Sequence, residues 1–209
     1  MTLLSKLHAR FLQAKMRILL RLGLADPQKL RERQRRADMA HPERLAVLPY
    51  CSEGHGLDIG CGGRKSHPNC IGVDIVAGDA VGGVGSAAGT VSQADVRASG
   101  DDLAMFAENE MDFIVARHVL EHFTDPVKAL LEWKRVLKRG GVMVLVLPDD
   151  RALNTLSLDP SHKHAFTPES LRNLLGVIGG FQVERLEVVI PNWSFLCVAR
   201  KMQEHTACV

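Results

Sequence analysis

Residues 56–74 of this chain read GLDIGCGGRKSHPNCIGVD. A short apolar run ends in clustered glycines, and a second apolar run ends at Asp74, a pattern that predicts a strand, a glycine-rich loop and a second strand. Gly60, Gly62 and Gly63 let the backbone turn sharply and approach a ligand closely, because no Cβ stands in the way. An acid at the tip of the second strand can accept hydrogen bonds from both ribose hydroxyls of an adenosine. The stretch therefore predicts half of a nucleotide site.

Asp58 makes this stretch more specific, because it stands two residues before the first glycine of the loop. The resulting Asp-x-Gly-x-Gly string resembles motif I of the class I S-adenosylmethionine-dependent methyltransferases. The resemblance implies S-adenosyl-L-methionine as the cofactor. It also implies that Asp58, Gly60, Cys61 and Gly62 border the methionine half of that cofactor, and that Asp74 binds its ribose.

A second informative stretch, residues 113–122, reads FIVARHVLEH. Its first four residues form a buried-strand run, so Arg117 and His118 follow at the carboxyl end of a strand, where open α/β sheets bind their ligands. The string resembles motif IV of the small-molecule, type 11-like branch of the same methyltransferases. Together with VLKRGG at residues 136–141, the resemblance covers roughly residues 54–201. It implies that Arg117 lies in the cofactor site and that His118 borders the acceptor.

The spacing of His118 and His122 raises the question of a metal site. The two histidines are four residues apart and would share one face of a helix, as a metal pair does. Nothing near them in the sequence supplies the remaining ligands, so no metal is expected. His122 is expected to pack or to cap.

The first crossover is short. Only ten residues, 61–70, separate Gly60 from the second strand, whereas parallel strands usually need about a dozen or more, generally including a helix. The first helix is therefore expected to be one turn or irregular. A third strand is expected over residues 90–95. Its closing Asp95 matches in position the family acid near the adenine amino group, although a cap for the following helix is an alternative.

These patterns together predict an α/β fold with a doubly wound, mostly parallel seven-stranded sheet. A helix over residues 126–139 precedes a central strand at residues 142–147, and two apolar runs, residues 181–190 and 192–200, predict a C-terminal antiparallel hairpin. We expect a basic helical N-terminal extension over residues 1–50 and a Rossmann-like methyltransferase domain over residues 51–209.

Composition bounds the class of protein. The chain has 209 residues and 46% hydrophobic content, enough for a core, and its five cysteines form no Cys-x-x-Cys pair. Such cysteines indicate reduced thiols and a cytoplasmic protein. Residues 1–39 carry ten basic and three acidic residues, a net charge of +7, while the remainder carries −5. A basic arm on an acidic body suggests an anionic neighbour for the arm.

The arm itself predicts two helices. Residues 2–23 place an apolar stripe beside a basic ridge, with too many charges for a membrane span. This helix could pack over the domain, lie on an anionic membrane as a peripheral contact, or receive RNA phosphates. A second helix is expected from Asp26 and Pro27 through Arg36.

The expected reaction is methyl transfer to a small molecule or to a saccharide or lipid-linked acceptor, at oxygen. A hydroxyl acceptor benefits from a base, for which the candidates are His118, His162 and His164. The last two lie with Asp159 in a long loop, which is expected to close over the acceptor. No Asn-Pro-Pro-Tyr follows the fourth strand, which argues against enzymes that act on the exocyclic amines of nucleic-acid bases, so a nucleic-acid partner is not expected.

Two other classes of protein remain open. A nicotinamide-dependent oxidoreductase would use the same glycine loop, but it predicts a third spaced glycine and a catalytic Tyr-x-x-x-Lys, and Tyr50 is the only tyrosine in the chain. The other class is a non-catalytic adaptor that binds an adenosine cofactor and docks through its basic arm.

Overall fold

The computed structural model of the chain describes residues 38–82 and 90–203, together with residues 18, 22, 26, 28, 29 and 32. Within these residues seven strands form one sheet: β1 Gly56–Ile59, β2 Ile71–Asp74, β3 Val96–Arg97, β4 Met111–Arg117, β5 Leu137–Pro148, β6 Phe181–Ile190 and β7 Ser194–Lys201. The strand order is β3-β2-β1-β4-β5-β7-β6. Strands β1 to β5 are parallel, and β7 runs antiparallel to β5 and β6. The predicted fold class is confirmed.

The described helices cover both faces of the sheet: α1 Pro42–Cys51, α2 Pro126–Val136, α3 Thr155–Leu158 and α4 Pro168–Ile178, with a 3-10 turn at Leu120–His122. The start of α4 follows directly from its sequence. Thr167 and Ser170 form a reciprocal capping box, and Pro168 occupies the first turn, where its missing N–H costs nothing. Asp125 caps α2 in a similar way, by accepting from the backbone N–H of Lys128 at 3.0 Å.

The apolar side chains form two layers. On one face, buried residues of α2 and α4 such as Trp133 and Leu171 pack against the strands. On the other face, Val47 and Cys51 of α1 pack against strand residues that include Phe113. The boundary expected after residue 50 thus falls inside α1, a helix that covers the sheet together with the rest of the domain.

Two element boundaries were predicted wrongly. Helix α2 ends at Val136 rather than at residue 139, because Leu137 is already fully buried in β5 opposite Met111. The third strand is Val96–Arg97 rather than residues 90–95. Both errors arise because partner strands, which lie far away in sequence, fix where a strand starts.

Little of the N-terminal arm lies within the described residues. Asp26 accepts from the backbone N–H groups of Gln28 and Lys29 at 2.9 and 3.4 Å, and residues 28, 29 and 32 are helical, as the predicted cap requires. The helix predicted over residues 2–23 lies almost wholly outside the described residues. None of the described helices combines the length and apolar character that crossing a membrane requires.

Candidate cofactor and acceptor site

A cavity of about 470 Å³ lies at the carboxyl ends of β1, β2 and β4, within the usual size range for a small-molecule site. In a doubly wound sheet this edge is where ligands bind, and the strand order reverses here between β1 and β4. The lining residues come from the strand ends and from the segments that follow them: Ile59, Gly60, Val73, Asp74, Ile75, Val76, Ala98, Ser99, Gly100, Asp101, His118, Val119, His122, Phe123, Thr124, Ser161 and Lys163.

The glycine loop lies on the floor of this cavity. Gly60 has a φ of +63°, and a Cβ there would lie 2.3 Å from Cγ2 of Val119. Glycine at this position is therefore required by a close approach within the protein as well as by access for a ligand. Cys61 turns its sulfur toward Gly72, where an added Cβ would lie 2.8 Å from it, and burial raises the pKa of this thiol. The thiol is thus a packing group.

Asp74 is buried, and backbone donors hold its carboxylate. Its Oδ2 accepts from the N–H of Gly62 at 2.9 Å, and its Oδ1 accepts from the N–H of Val76 at 2.8 Å. A carboxylate offers about four lone-pair sites, so both oxygens retain acceptor capacity for hydroxyl groups. The apolar side chains of Ile75 and Val76 adjoin it in the cavity wall. An acid beside an apolar wall fits the ribose and the adenine ring of an adenosine.

The short crossover is a loop, as predicted: residues 61–70 form turns and contain no helix. Asp58 organises this loop, since its fully buried carboxylate accepts from the backbone N–H of Ser66 at 2.5 Å. Burial raises the pKa of Asp58, against the opposing effect of the Arg117 cation. Both groups line a second, small cavity of about 30 Å³, which is large enough for a water molecule or so.

Arg117 contributes a buried cation next to the glycine loop. Its guanidinium donates to both carboxylate oxygens of Asp38 at 3.3 Å and to the carbonyl oxygen of Arg64. Burial alone would lower the pKa of Arg117, but the carboxylates of Asp58 and Asp38 raise it. The cation therefore stands where it was predicted, at the end of β4, but it is paired with Asp38.

His118 is held between two acids. Its φ is +55°, its Nε2 lies 2.9 Å from Oε1 of Glu43, and its Nδ1 lies 3.5 Å from Oε1 of Glu121. Burial lowers the pKa of His118, but the neighbouring carboxylates of Glu121 and Glu43 outweigh it and raise the pKa to about 9. The imidazole is thus charged at neutral pH. A protonated ring must lose its proton before it can act as a base, and the general-base role of His118 stays a prediction.

The other two predicted catalytic histidines do not line the cavity. His162 Nδ1 contacts the carbonyl oxygen of Thr155 at 3.0 Å, and His164 Nε2 contacts that of Thr124 at 3.2 Å. Their loop does close against the end of β4, because the backbone N–H of Lys163 donates to the carbonyl oxygen of Glu121 at 2.7 Å. A catalytic role for either histidine remains a prediction.

Asp95 was predicted to close the third strand and to lie near the adenine; the strand position is wrong, and the contact with adenine stays a prediction. It precedes β3, accepts from the backbone N–H of Gly72 at 2.7 Å and pairs with Lys65 at 2.5 Å. It lines a different cavity, of about 600 Å³, which Asp74 does not reach. The segment that follows β3 instead brings Ser99 and Asp101 to the cavity of Asp74.

The sequence analysis missed two acids at this site, Glu43 and Glu121. Glu121 stands inside the His-Val-Leu-Glu-His string, but a helical interpretation singled out the two histidines at either end. In the structure His118 has left-handed backbone and only Leu120–His122 forms a 3-10 turn, so the string presents no regular helical face. Glu43 carried no usable signal, because it lies 75 residues before its partner His118.

Comparisons with known proteins agree with this geometry. A family model described as a methyltransferase domain matches residues 57–145. The uncharacterized protein MJ1123 of Methanocaldococcus jannaschii is 32% identical over 123 residues, a region that spans 58% of this chain and 58% of that relative.

Solved structures share the fold. The YcgJ protein of Bacillus subtilis superimposes with a TM-score of 0.57 and 18% identity, over 78% of this chain and 99% of that one. A SAM-dependent methyltransferase of Archaeoglobus fulgidus gives a TM-score of 0.56 and 20% identity, over 76% and 92% of the two chains. A SAM-dependent methyltransferase of Aquifex aeolicus gives a TM-score of 0.56 and 17% identity, over 85% of this chain and 100% of that one.

Residues 57–145 therefore match a methyltransferase domain, and the fold of the chain is that of the class I S-adenosylmethionine-dependent methyltransferases, as predicted. The antiparallel hairpin of β6 and β7 also distinguishes this fold from the dinucleotide dehydrogenases, which repeat the mononucleotide-binding unit.

Proposed function

We propose that the chain transfers a methyl group from S-adenosyl-L-methionine to a hydroxyl oxygen of a small-molecule acceptor, with a saccharide or a lipid-linked saccharide as the preferred class. The cavity that runs from Asp74 to His118 and His122 along three strand ends carries this proposal. Its Asp74 end offers an acid and an apolar wall for adenosine. Its other end carries imidazole and hydroxyl groups suited to a polar acceptor.

The chemistry asks little of the protein. When bound beside Asp74 and the glycine loop, S-adenosyl-L-methionine would supply a methyl group on a positively charged sulfonium. In the transfer the electron pair of the C–S bond would stay on sulfur, and the proton of the acceptor hydroxyl would pass to water. The residues of the cavity align the two reactants, and positioning of this kind supplies about 7–11 kcal/mol of the barrier reduction. His118, as a charged ring between two acids, is suited to shape the cavity floor.

The basic arm supports a second element of the proposal, peripheral contact with an anionic membrane. Residues 1–39 have a net charge of +7, and each basic residue near an anionic surface contributes about 1 kcal/mol of attraction. Such contact would bring the enzyme to a lipid-linked acceptor.

Titration calorimetry with S-adenosylhomocysteine, S-adenosylmethionine and NAD tests the cofactor. We expect the two adenosyl compounds to bind and NAD not to bind; tight binding of NAD alone would contradict the proposal. Transfer of a labelled methyl group to saccharides, lipid-linked saccharides and RNA, compared in parallel, then tests the acceptor. Labelling of RNA without labelling of either saccharide class would overturn the acceptor assignment, and binding without transfer to any acceptor would favour an adaptor.

A further inference from the structure

Glu121 is a buried acid whose carboxylate has no hydrogen-bond partner among the described residues. Its side chain is 1% exposed, and neither carboxylate oxygen accepts a hydrogen bond from the part of the chain that the structure describes. Burying an ionised carboxylate without hydrogen bonds is costly. Nδ1 of His118 lies 3.5 Å from Oε1, but the contact lacks hydrogen-bond geometry. Both oxygens therefore remain available to a ligand.

Two histidines stand beside this acid. Among the described residues, Glu121, His122 and His162 form the one group of histidine, cysteine and acidic side chains whose potential ligand atoms all lie within 4.8 Å of one another. Nε2 of His162 lies 3.9 Å from Oε1 of Glu121, and the rings of His122 and His162 meet edge to face with centroids 4.7 Å apart. Two imidazoles and one carboxylate are a ligand set of transition-metal sites that keep a position open.

The contacts around His162 and His122 favour one tautomer of each neutral imidazole ring. A carbonyl oxygen only accepts, so the 3.0 Å contact with Thr155 places the proton of a neutral His162 on Nδ1 and leaves the lone pair of Nε2 free. The hydroxyl of Ser161 donates a hydrogen bond to Oδ1 of Asp159 at 2.6 Å. Its Oγ can then accept a hydrogen bond from Nδ1 of His122 at 3.1 Å. In the neutral form each of these histidines would thus leave Nε2 free to bind a metal, as metal-ligating histidines do when a second partner holds the other nitrogen.

The backbone fixes the loop against Glu121 as well. The N–H groups of Lys163 and His164 both donate to the carbonyl oxygen of Glu121, at 2.7 and 3.2 Å. His162, the residue before them, is thereby held next to the acid, although it lies 41 positions away in the sequence. A tetrahedral shell at about 2.0–2.1 Å places ligand atoms about 3.3 Å apart, so small side-chain rotations bring these three groups to binding distance.

We propose that Glu121, His122 and His162 bind a divalent first-row transition-metal ion, with Zn²⁺ the best match to the ligand set. This proposal departs from the expectation that no metal binds near His122. The ligands that the neighbouring sequence did not supply would come from Glu121 and from a distant loop. His122 and Ser161 line the acceptor end of the cavity, so an ion bound by this group would lie beside the acceptor. There the ion acts as a Lewis acid, binding the acceptor hydroxyl and lowering its pKa so that its proton passes to water.

The role in catalysis rests on the proposed function, but binding of the ion does not. The test uses the full chain, stripped with a chelator and titrated with Co²⁺ as a spectroscopic substitute for Zn²⁺. We expect one Co²⁺ per chain, with visible d–d bands of nitrogen and oxygen ligation, and displacement by Zn²⁺. Glu121→Gln and His162→Ala should each weaken binding by at least about a hundredfold, since loss of outer partners alone costs about 10–100-fold.

His164→Ala provides the matched control, because it removes a histidine of the same loop that lies outside the group. Circular dichroism of each variant shows that it is folded, and His122→Asn serves as a second ligand variant if His162→Ala is not. The site would be overturned if Glu121→Gln and the folded histidine variant bound Co²⁺ as tightly as the wild type. It would also be overturned if His164→Ala lost as much Co²⁺ affinity as the ligand variants. Titration with S-adenosylhomocysteine in parallel separates the two proposals. Co²⁺ binding without cofactor binding would support the metal site and contradict the proposed function. Cofactor binding without Co²⁺ binding would contradict the metal site only.

Discussion

Arg117 donates to both carboxylate oxygens of Asp38 at 3.3 Å, across 79 positions of sequence. Both side chains are nearly buried, at 10% and 3% exposure. The guanidinium that the sequence assigns to the cofactor site is thus held by an acid at the end of the N-terminal arm. An arginine fork binds one carboxylate well, so a cofactor carboxylate that reached Arg117 would compete with Asp38 for it.

Asp38→Asn should therefore bind S-adenosylhomocysteine about tenfold more tightly than the wild type, which corresponds to about 1.4 kcal/mol. Calorimetry measures the change, with circular dichroism to show that the variant is folded. Adding Arg117→Met should abolish the gain. Unchanged affinity in Asp38→Asn would show that Arg117 does not meet the cofactor.

Asp74 and Asp95 form a second matched comparison. Each carboxylate accepts a backbone N–H of the β1–β2 region, but only Asp74 lines the cavity at the strand ends. Asp74→Ala should weaken S-adenosylhomocysteine binding by about 10–100-fold, from the loss of about 1.5–3 kcal/mol of charged hydrogen bonding. Asp95→Ala should leave the affinity unchanged. The reverse order in calorimetry would move the ribose to the other cavity.

Gly60 tests the close approach between the glycine loop and β4. Gly60→Ala should lower the free energy of unfolding by about 2–4 kcal/mol, because the new Cβ would lie 2.3 Å from Val119 and the φ of +63° disfavours a side chain. Val119→Ala in the same chain should recover part of this loss, because it removes Cγ2; Cβ at position 119 would still lie 2.8 Å away, and the backbone strain of about 1–2 kcal/mol would remain. Urea denaturation measures the wild type and both variants. A double variant no more stable than Gly60→Ala would show that the two residues do not meet.

The parts of this fold that the sequence predicted correctly depend on neighbours in the chain. The strand, loop and strand at residues 56–74 follow from glycines and apolar runs within one stretch, and the start of α4 follows from Thr167 and Pro168. These signals are local, so one sequence suffices to find them.

The features that the sequence did not predict depend on contacts between distant segments. β3 starts at Val96 because Val96 pairs with Val73 of β2. The sequence around residue 96 contains no pattern from which this pairing could be predicted. Likewise, the partners of His118 and His122 are reached only when α1 and the loop around His162 fold onto the end of β4. Motif resemblance pointed to the strand ends where the cavity lies, but it could not supply these neighbours.

The ion pair of Glu43 and His118 predicts a pH-dependent stability. Burial raises the pKa of Glu43, but its hydrogen bond and charge contact with His118 outweigh it and lower the pKa to about 2. Its contribution is therefore present above the ordinary value of 4.5 and is lost as the pH falls through 2. His118, raised from 6.5 to about 9, contributes fully below pH 6.5 and loses its contribution as the pH rises through 9.

Urea denaturation of the metal-free chain should thus show a loss on the order of 3 kcal/mol from His118 between pH 6.5 and 9. Glu43→Gln removes one of the two acids and should make this alkaline loss smaller. Asp112→Asn, at an exposed pair with Lys138, serves as the control and should keep the wild-type slope. Parallel profiles for the wild type and Glu43→Gln would show that the pair does not set the charge of His118.

Deleting residues 1–24 separates the arm from the site. The segment carries five basic and no acidic residues, and the glycine loop and Asp74 lie far from it in sequence. We expect unchanged affinity for S-adenosylhomocysteine, because the groups that line the cavity at the strand ends all belong to residues 59–163.

Sedimentation with vesicles that contain phosphatidylserine should fall by at least about tenfold, since each basic residue near an anionic surface contributes about 1 kcal/mol. The full chain should not bind vesicles of phosphatidylcholine alone, and added salt should release it from the anionic ones. Abolished cofactor affinity in a folded deletion variant would instead make the arm part of the cofactor site, and equal sedimentation of both chains would place the membrane contact elsewhere.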